Sequence, residues 1–582
     1  MCDKKSNNNK KSNNNKKQKK IMVKYIVVMG GVMSGIGKGT IASSIGVLLK
    51  ASGYVITHIK IDPYLNEDAG TLSPFEHGEC YVLEDGGETD LDMGNYERFS
   101  NIKLTKIHNI TTGKIYKKVL EKERKGEYLG KTVQIVPHIT DEIQNWIKVA
   151  AQIAIDVEIP DICIIELGGT AGDIESLPFI EALRQLSYNS EDFGDTVLFT
   201  YVGYAPYLKA SDETKTKPVQ QSVNLLRNLG ICPDLLFVRC ENAIDEKSMK
   251  KLAIMCNVKN IICIPDISNL YCMPQYLAEN SLNNIVRCPI KSEKYNEIMD
   301  EKWKMYAEQY DKINGGFGEI IRIGIVGKYV GLQDSYLSLH RAIEHAAIQL
   351  LFGNKSLKIE YINAELYDEN DINCLDAIII AGGFDVRGMD GKLRAIKYAR
   401  ENNIPILGIC LGMQLMAIEF ARNILKIADA NSEEMSKNCE NKVVIYCPSN
   451  DNNMGGTMRL GLKETKIDEN STVAKIYKIW SKNNKNLSEN NKNSQKNKNN
   501  IIKERHRHRY EINPDWIEKF EENGFKCVGL NTDNDGKRVE IMELIGKKYF
   551  IGCQFHPEYN TSIENPHPLF MSLLSCVLGN KK

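Results

Sequence analysis

Cys410, His556 and Glu558 have the types and the chain order of a thiol hydrolase. Cys410 stands in Gly408-Ile409-Cys410-Leu411-Gly412, behind the apolar run Ile404-Pro405-Ile406-Leu407 and ahead of a helical run from Met413 to Ala421. Glycines on both sides permit the sharp strand-to-helix turn that presents a nucleophile at a helix N-terminus, where the helix dipole favours thiolate over thiol. His556, in Gln554-Phe555-His556-Pro557-Glu558, can take the thiol proton; Glu558, two residues on, lies on the same side of an extended chain and can orient the imidazole. Gly382-Gly383-Phe384 closes another apolar run and can offer backbone N–H groups to a tetrahedral oxyanion. A cysteine in an apolar run is more often a core thiol. The elbow combined with a downstream His-x-Glu points instead to the splitting of an amide.

The other half carries phosphate chemistry. Gly30-Gly31-Val32-Met33-Ser34-Gly35-Ile36-Gly37-Lys38-Gly39-Thr40 follows the apolar run Tyr25–Met29 and precedes a helical stretch from Thr40 to Leu49. Five residues separate Gly31 from Gly37 where a standard phosphate loop has four, and Gly39 intervenes before Thr40, which argues against a motor or GTPase. The physics is unchanged: backbone N–H groups, a helix N-terminus and the Lys38 ammonium together cradle polyphosphate. Phosphoryl transfer calls for Mg²⁺ held by few carboxylates. Glu166, at the end of Ile162-Cys163-Ile164-Ile165, is one candidate; the run Glu84–Asp92 supplies Asp90 or Asp92, between which spacing does not choose. Lys60 and Asp62 follow a further strand-like segment, where the active sites of open sheets lie. One polypeptide with both sites is most simply one that frees ammonia at the first and uses it at the second.

These residues need two scaffolds. The 582 residues exceed a single core, and apolar runs alternate with helical segments twice over, so the class is α/β in both halves. Residues 1–20 form an Asn/Lys tail expected to be disordered; 21–290 form the first domain; 291–318 are a charged, helical linker; 319–582 form the second domain, with an Asn/Lys-rich insert at 481–500. The tail has no apolar segment of a secretory signal, and no run approaches a membrane span. Sixteen scattered cysteines without a zinc spacing suit a reducing, cytoplasmic setting. Lys+Arg and Asp+Glu balance at 75 each, so no global field draws the chain to nucleic acid or membrane. The basic run Arg505-His506-Arg507-His508-Arg509-Tyr510 has no aromatic platform beyond Tyr510, which makes a nucleic-acid patch a weak reading.

The loop Gly30–Thr40, Lys60-Ile61-Asp62-Pro63-Tyr64, Glu84–Asp92, Glu166-Leu167-Gly168-Gly169-Thr170-Ala171-Gly172-Asp173-Ile174-Glu175-Ser176 and Lys215-Thr216-Lys217-Pro218 together resemble the CTP synthase family. The second half is similar to a class I glutamine amidotransferase, and the likeness runs from about residue 24 to residue 575 apart from the insert. The resemblance implies a doubly wound parallel sheet of P-loop type for the synthetase half and an α/β class I glutaminase fold for the other. It implies ATP-dependent amination of UTP to CTP, with Gly35, Ile36, Gly37, Lys38, Gly39, Thr40 and Asp92 on ATP and with Asp92 and Glu166 on Mg²⁺. Ser34, Asp173, Ile174, Glu175, Lys215, Thr216, Lys217, Pro218, Val219, Gln220 and Lys251 would bind UTP, CTP sharing part of that site as feedback inhibitor. Gly383, Leu411, Gly412, Met413, Gln414, Glu434 and Arg509 would hold glutamine, and Pro265-Asp266-Ile267 aligns loosely with an adenine-binding turn. GTP as allosteric activator and a homotetramer come with the family; filament formation is not decided by the sequence.

Asp385 departs from the family's usual glycine after Gly-Gly-Phe. The competing readings are another ATP-dependent amidotransferase, such as a cobyrinate amidase, and a catalytically idle scaffold. The first lacks the Lys215-Thr216-Lys217-Pro218 and Asp173-Ile174-Glu175 signatures, and the second has no need of an intact Lys38, Asp92, Glu166, Cys410, His556 and Glu558. Because the tail and the insert are polar and bury nothing, deleting 1–20 and 481–500 should leave CTP synthesis within about twofold of the full chain. A loss of activity or assembly on removing 481–500 would show the insert to be structural.

Overall fold

The computed structural model describes residues 24–31, 33–191, 196–316, 318–351, 354–447, 458–483, 500–533 and 536–580. The Asn/Lys tail lies outside them, as do residues 484–499 of the insert; residues 481–483 end a helix, Thr472–Asn483.

Seven strands make the first sheet: β1 (Lys24–Gly30), β2 (Ile56–Asp62), β3 (Asn109–Thr111), β4 (Ile162–Leu167), β5 (Val197–Ala205), β6 (Leu235–Cys240) and β7 (Asn260–Pro265). They lie in the order β7-β6-β5-β1-β4-β2-β3, and every pairing is parallel. A parallel sheet is covered on both faces, which is why its strands read as unbroken apolar runs; Val27, Val28, Ile164 and Ile165 are wholly buried. The chain leaves β1 for β2 on one side and returns to its other side at β5. That reversal opens a crevice at the carboxyl end of β1, the place where open α/β sheets bind ligands. Helix α1 (Lys38–Ala51) starts there.

The second sheet comprises β8 (Glu319–Gly327), β9 (Lys355–Asn363), β10 (Ala377–Ile380), β11 (Ile406–Ile409), β12 (Arg459–Ile467), β13 (Ile501–His508), β14 (Phe525–Asp533), β15 (Gly536–Leu544) and β16 (Phe550–Cys553). Its order is β9-β8-β10-β11-β16-β15-β14-β12-β13. The stretch from β9 to β16 is parallel, and the remainder is antiparallel. The region expected as a linker contains a packed helical segment, Glu297–Asn314, which buries Met299, Trp303, Tyr306 and Ile313. Asn269 of the first half donates to Ala307 O at 2.8 Å, and Gln309 donates to Leu351 O of the second. Among the described residues no helix is long and apolar enough to cross a membrane.

The halves meet over an extended interface. Leu462 N donates to Glu84 O at 2.8 Å, Glu79 N to Asp334 O at 2.9 Å and the Tyr559 hydroxyl to Cys80 O at 3.0 Å. Strand β13 contributes buried ion pairs to it. Strand alternation sends Arg505 and Arg507 one way and His506 and His508 the other. Arg505, with no exposed surface, donates to Glu97 at 2.8 Å, the Tyr81 hydroxyl at 2.9 Å and Val82 O at 3.0 Å. Arg507 donates to Glu88 at 2.8 Å and Gly70 O at 3.0 Å. The run that composition alone offered as a basic patch is thus the inner edge of a domain interface.

Candidate functional site

The phosphate loop is shaped by its glycines. Gly35 and Gly37 take φ of +70° and +91°, and Gly37 caps α1. A Cβ on Gly39 would fall 2.4 Å from Asp92 Oδ1 and 3.5 Å from Glu166 Oε2, so both carboxylates look onto the first turn of α1. Lys38 is buried and donates to Gly169 O at 2.9 Å; burial lowers its pKa against the pull of Glu166.

Lys60, also buried, sits among four acids: Asp62 at 3.5 Å, Asp90 at 3.4 Å, Glu166 at 3.5 Å, and Asp92 in direct ion pair. Burial disfavours its charge, but Asp90, Asp92, Glu166 and Asp62 together hold it firmly protonated. Glu166 is pushed up to about 7, by burial first and then by Asp92, against Lys60 and Lys38. Asp62 is also pushed up to about 7, by burial, with Lys60 opposing.

The geometry separates the two acids that spacing left equal. Asp90 caps the helix α2 (Leu91–Ser100), accepting from Asp92 N at 3.0 Å, and burial raises its pKa. Asp92 faces Gly39, and although burial opposes its charge, Lys60 holds its carboxyl below the usual range. Four carboxylates against two lysines leave an excess of negative charge beside a phosphate cradle. Among the described residues no three His, Cys, Asp or Glu side chains form a ready-made metal cage. Two carboxylates at a helix N-terminus fit Mg²⁺, which takes its remaining ligands from phosphate and water.

Ser34, Ile174 and Glu175 are exposed, and Asp173 accepts from Thr170 N at 2.9 Å. Lys215 pairs with Glu213, Thr216 accepts from Gln220 at 3.2 Å, and Lys217 and Pro218 open the helix Lys217–Asn228. Val219 is wholly buried and packs on Gly203, so its side chain faces the sheet. Lys251 is exposed on the helix Glu246–Cys256, which packs against Lys217–Asn228.

At this site sequence reasoning missed two residues. Arg239, at the end of β6, donates to Gly35 O at 3.2 Å and to Asp266 at 3.0 Å, which ties the expected adenine turn to the phosphate loop. Tyr96 donates to Glu166. A charged residue ending the apolar run Leu235–Val238 was the available signal for Arg239; nothing marked Tyr96.

In the second half β11 delivers Cys410 to the first turn of α3 (Leu411–Asn423) at φ +53° and ψ −107°, the strained elbow that lifts a nucleophile out of its strand. Cys410 N donates to Cys553 O at 2.7 Å. Gln554 lies 3.6 Å from the sulfur, and so does Arg507 O. His556 Nδ1 bonds Glu558 at 2.7 Å, and the ring stacks on Tyr559. Burial opposes a charge on His556, but Glu558 and Cys410 outweigh it and lift its pKa to about 10. A Cβ on Gly382 would touch His556 Cε1 at 3.0 Å and Cys410 Cβ at 3.6 Å, which fixes the loop Ala381–Asp385 over the pair.

Around that loop stand the residues expected to hold glutamine. Glu434 accepts from Asp385 N at 2.8 Å, and Arg509 lies over the Phe384 ring at 5.6 Å. Gln414 donates to Tyr510 O at 2.7 Å, while Gly412 packs on Ile380 O and Met413 against Gly552 in the core. Asp385 takes φ +66°, a left-handed conformation in which glycine is at ease. Its carboxylate offsets the strain by pairing with Lys328 at 3.0 Å and accepting from Arg387 N at 2.7 Å.

The chain matches the CTP synthase N-terminus family over residues 24–291 and the class I glutamine amidotransferase family over residues 331–576. It is 45% identical to human CTP synthase 2 over 579 residues, which takes in 96% of this chain and 94% of the relative. Human CTP synthase 1 is 44% identical over 581 residues, covering 96% and 93%; Xenopus laevis CTP synthase 2 is 44% identical over 580, covering 96% and 95%. The chain belongs to the CTP synthase family. CTP synthases aminate UTP to CTP with ATP and the amide nitrogen of glutamine, and this chain carries both the synthetase and the glutaminase half.

In this CTP synthase Glu166 gives a pH signature. Its folded pKa, about 7, stands above the ordinary 4.5. The stabilising effect of its bound proton is therefore complete below about pH 4.5 and disappears as pH rises through about 7. Between pH 6 and pH 8 the ligand-free protein should lose thermal stability, and Glu166→Gln should flatten that fall by ~2 °C or more while abolishing CTP formation from either glutamine or ammonium. Tm values at the two pH values decide this: equal falls in the two proteins would contradict the charge assignment.

Proposed function

We propose that the phosphate-loop site uses ATP to phosphorylate O4 of UTP, and that ammonia released at Cys410 displaces the phosphate at C4. The supporting observation is that β13 lies beside the Cys410 centre and reaches into the synthetase half. Arg507 places its carbonyl 3.6 Å from the Cys410 sulfur while its guanidinium binds Glu88 and Gly70 of the synthetase half. Ammonia free in neutral water is mostly protonated and not nucleophilic, so an interior passage along this interface preserves its reactivity.

At the glutaminase site the Cys410 sulfur attacks the amide carbon, and the N–H groups of Gly383 and Leu411 face the oxyanion. His556, oriented by Glu558, gives its proton to the departing nitrogen; water then cleaves the thioester to glutamate. Glu434 and Arg509 fit the charged ends of glutamine. At the synthetase site Gly35 to Thr40 bind ATP phosphates, with Lys38 as a fixed point charge. Asp92 and Glu166 would hold Mg²⁺, which supplies charge neutralisation to the transferred phosphoryl group. Ser34, Asp173 to Glu175, Lys215 to Gln220 and Lys251 bind UTP, with CTP overlapping as feedback inhibitor. GTP activation, a homotetramer and a cytoplasmic location belong to the same reading.

Cys410→Ala removes the nucleophile for glutamine and leaves the phosphate loop and its acids untouched. Glutamine-dependent synthesis should vanish, while synthesis from external ammonium at raised pH should persist near the wild-type rate. Lys38→Ala should abolish CTP formation from either nitrogen source and retain glutaminase activity. Loss of ammonium-driven synthesis in a folded Cys410→Ala protein would overturn the two-site reading.

A further inference from the structure

The loop Ala381–Asp385 runs between the Cys410–His556 pair and two buried ammonium groups. A Cβ on Gly382 would meet the pair, whereas a Cβ on Gly383 would lie 3.7 Å from Lys328 Cε and 3.8 Å from Lys392 Nζ. Lys328 follows β8 directly and donates to Phe384 O. Lys392 comes from the first turn of the helix Met389–Asn402; it is 1% exposed and donates to Ala381 O at 2.7 Å, with Gly382 O at 3.4 Å.

A trans peptide points its C=O and N–H in opposite directions. Lys328 draws the Phe384 carbonyl, and the N–H of the same peptide, on Asp385, points the other way to Glu434 at 2.8 Å. The same rule applied to the preceding glycine pair gives a functional result. Lys392 draws the Gly382 carbonyl, so the Gly383 N–H is directed away from it. Among the described residues that N–H meets no protein acceptor.

A buried ammonium is a costly anchor. Burial, and then Lys328, push the Lys392 pKa down to about 7 against the pull of Cys410. An apolar side chain of similar length would fill the same space without that desolvation cost. The expense is explained if the charge acts on something that becomes negative, and the nearest such groups are the Cys410 thiolate and the oxyanion formed on it.

We infer that Lys392 is a positioning residue for glutamine hydrolysis: it orients the Gly382–Gly383 peptide so that the Gly383 N–H serves the oxyanion, and it holds a positive charge beside the thiolate. This rests on the glutaminase reading of Cys410. The charged and titratable groups acting on Lys392 are Lys328, just after β8, and Cys410, at the cap of α3.

The test uses the full chain carrying Lys392→Met, which keeps length without charge, and Lys392→Gln, which keeps a donor without charge. Ammonium-driven CTP synthesis at the other site reports that each variant is folded. Lys392→Met should lower kcat for glutamine hydrolysis by ~30-fold or more with KM within about twofold, since losing one oxyanion donor alone costs ~10²–10³-fold. It should also move the pH midpoint of iodoacetamide alkylation of Cys410 upward by about one unit, because a nearby positive charge favours thiolate. Lys392→Gln should recover part of kcat and leave the alkylation midpoint raised. Wild-type kcat, a loss confined to KM, or an unmoved alkylation midpoint in a folded variant would overturn the inference. A wild-type enzyme that failed to hydrolyse glutamine would instead remove the reading beneath it.

Discussion

The buried ion pairs of β13 are the constraint on which the molecule turns. The side chains of Arg505 and Arg507 reach Glu97 and Glu88 of the synthetase half, while their carbonyls face the glutaminase centre: Arg505 O accepts from His556 N at 2.8 Å, and Arg507 O lies beside the thiol. One strand therefore sets the base, the nucleophile and the facing domain in a single register. Buried ion pairs add little net stability over apolar packing, but removing one partner costs ~3–5 kcal/mol because the other charge is stranded. Their value here is placement. Any slip of one domain against the other would break the pairs and displace the catalytic residues together.

The two centres solve opposite electrostatic problems. At the synthetase site Lys60 holds four acids that would otherwise repel, and the excess negative charge awaits a metal-bound nucleotide. At the glutaminase site cations stand against the reacting groups. Lys328 and Lys392 flank the loop, and His556 is held protonated, so the pocket is prepared for a thiolate and an oxyanion. A neutral molecule such as ammonia can pass between these fields without being trapped by either.

Much of this was legible in the sequence because the signals are local. The phosphate loop, the Cys410 elbow and His556-x-Glu558 each need only a few neighbouring residues, and the buried strands announce themselves as apolar runs. What escaped depends on distant partners. Asp90 and Asp92 are equivalent in spacing, and only the start of α2 assigns one to a cap and leaves the other facing Gly39. Tyr96 meets Glu166 across 70 residues, and Arg239 meets Gly35 across 204. The role of Arg505 and Arg507 was hidden because their acids lie more than 400 positions earlier. The linker's charges hid the apolar stripe by which Met299, Trp303 and Tyr306 bind it to the core.

Nitrogen should pass from Cys410 to the phosphate-loop site without entering bulk solvent. This is tested most directly by supplying amide-¹⁵N glutamine together with an excess of unlabelled ammonium near neutral pH and measuring the isotope in the CTP formed. CTP made at the glutamine-dependent rate should keep nearly all of the ¹⁵N. Dilution of the label to the ratio in bulk solution would mean that ammonia escapes and returns, and that the β13 interface does not join the two sites.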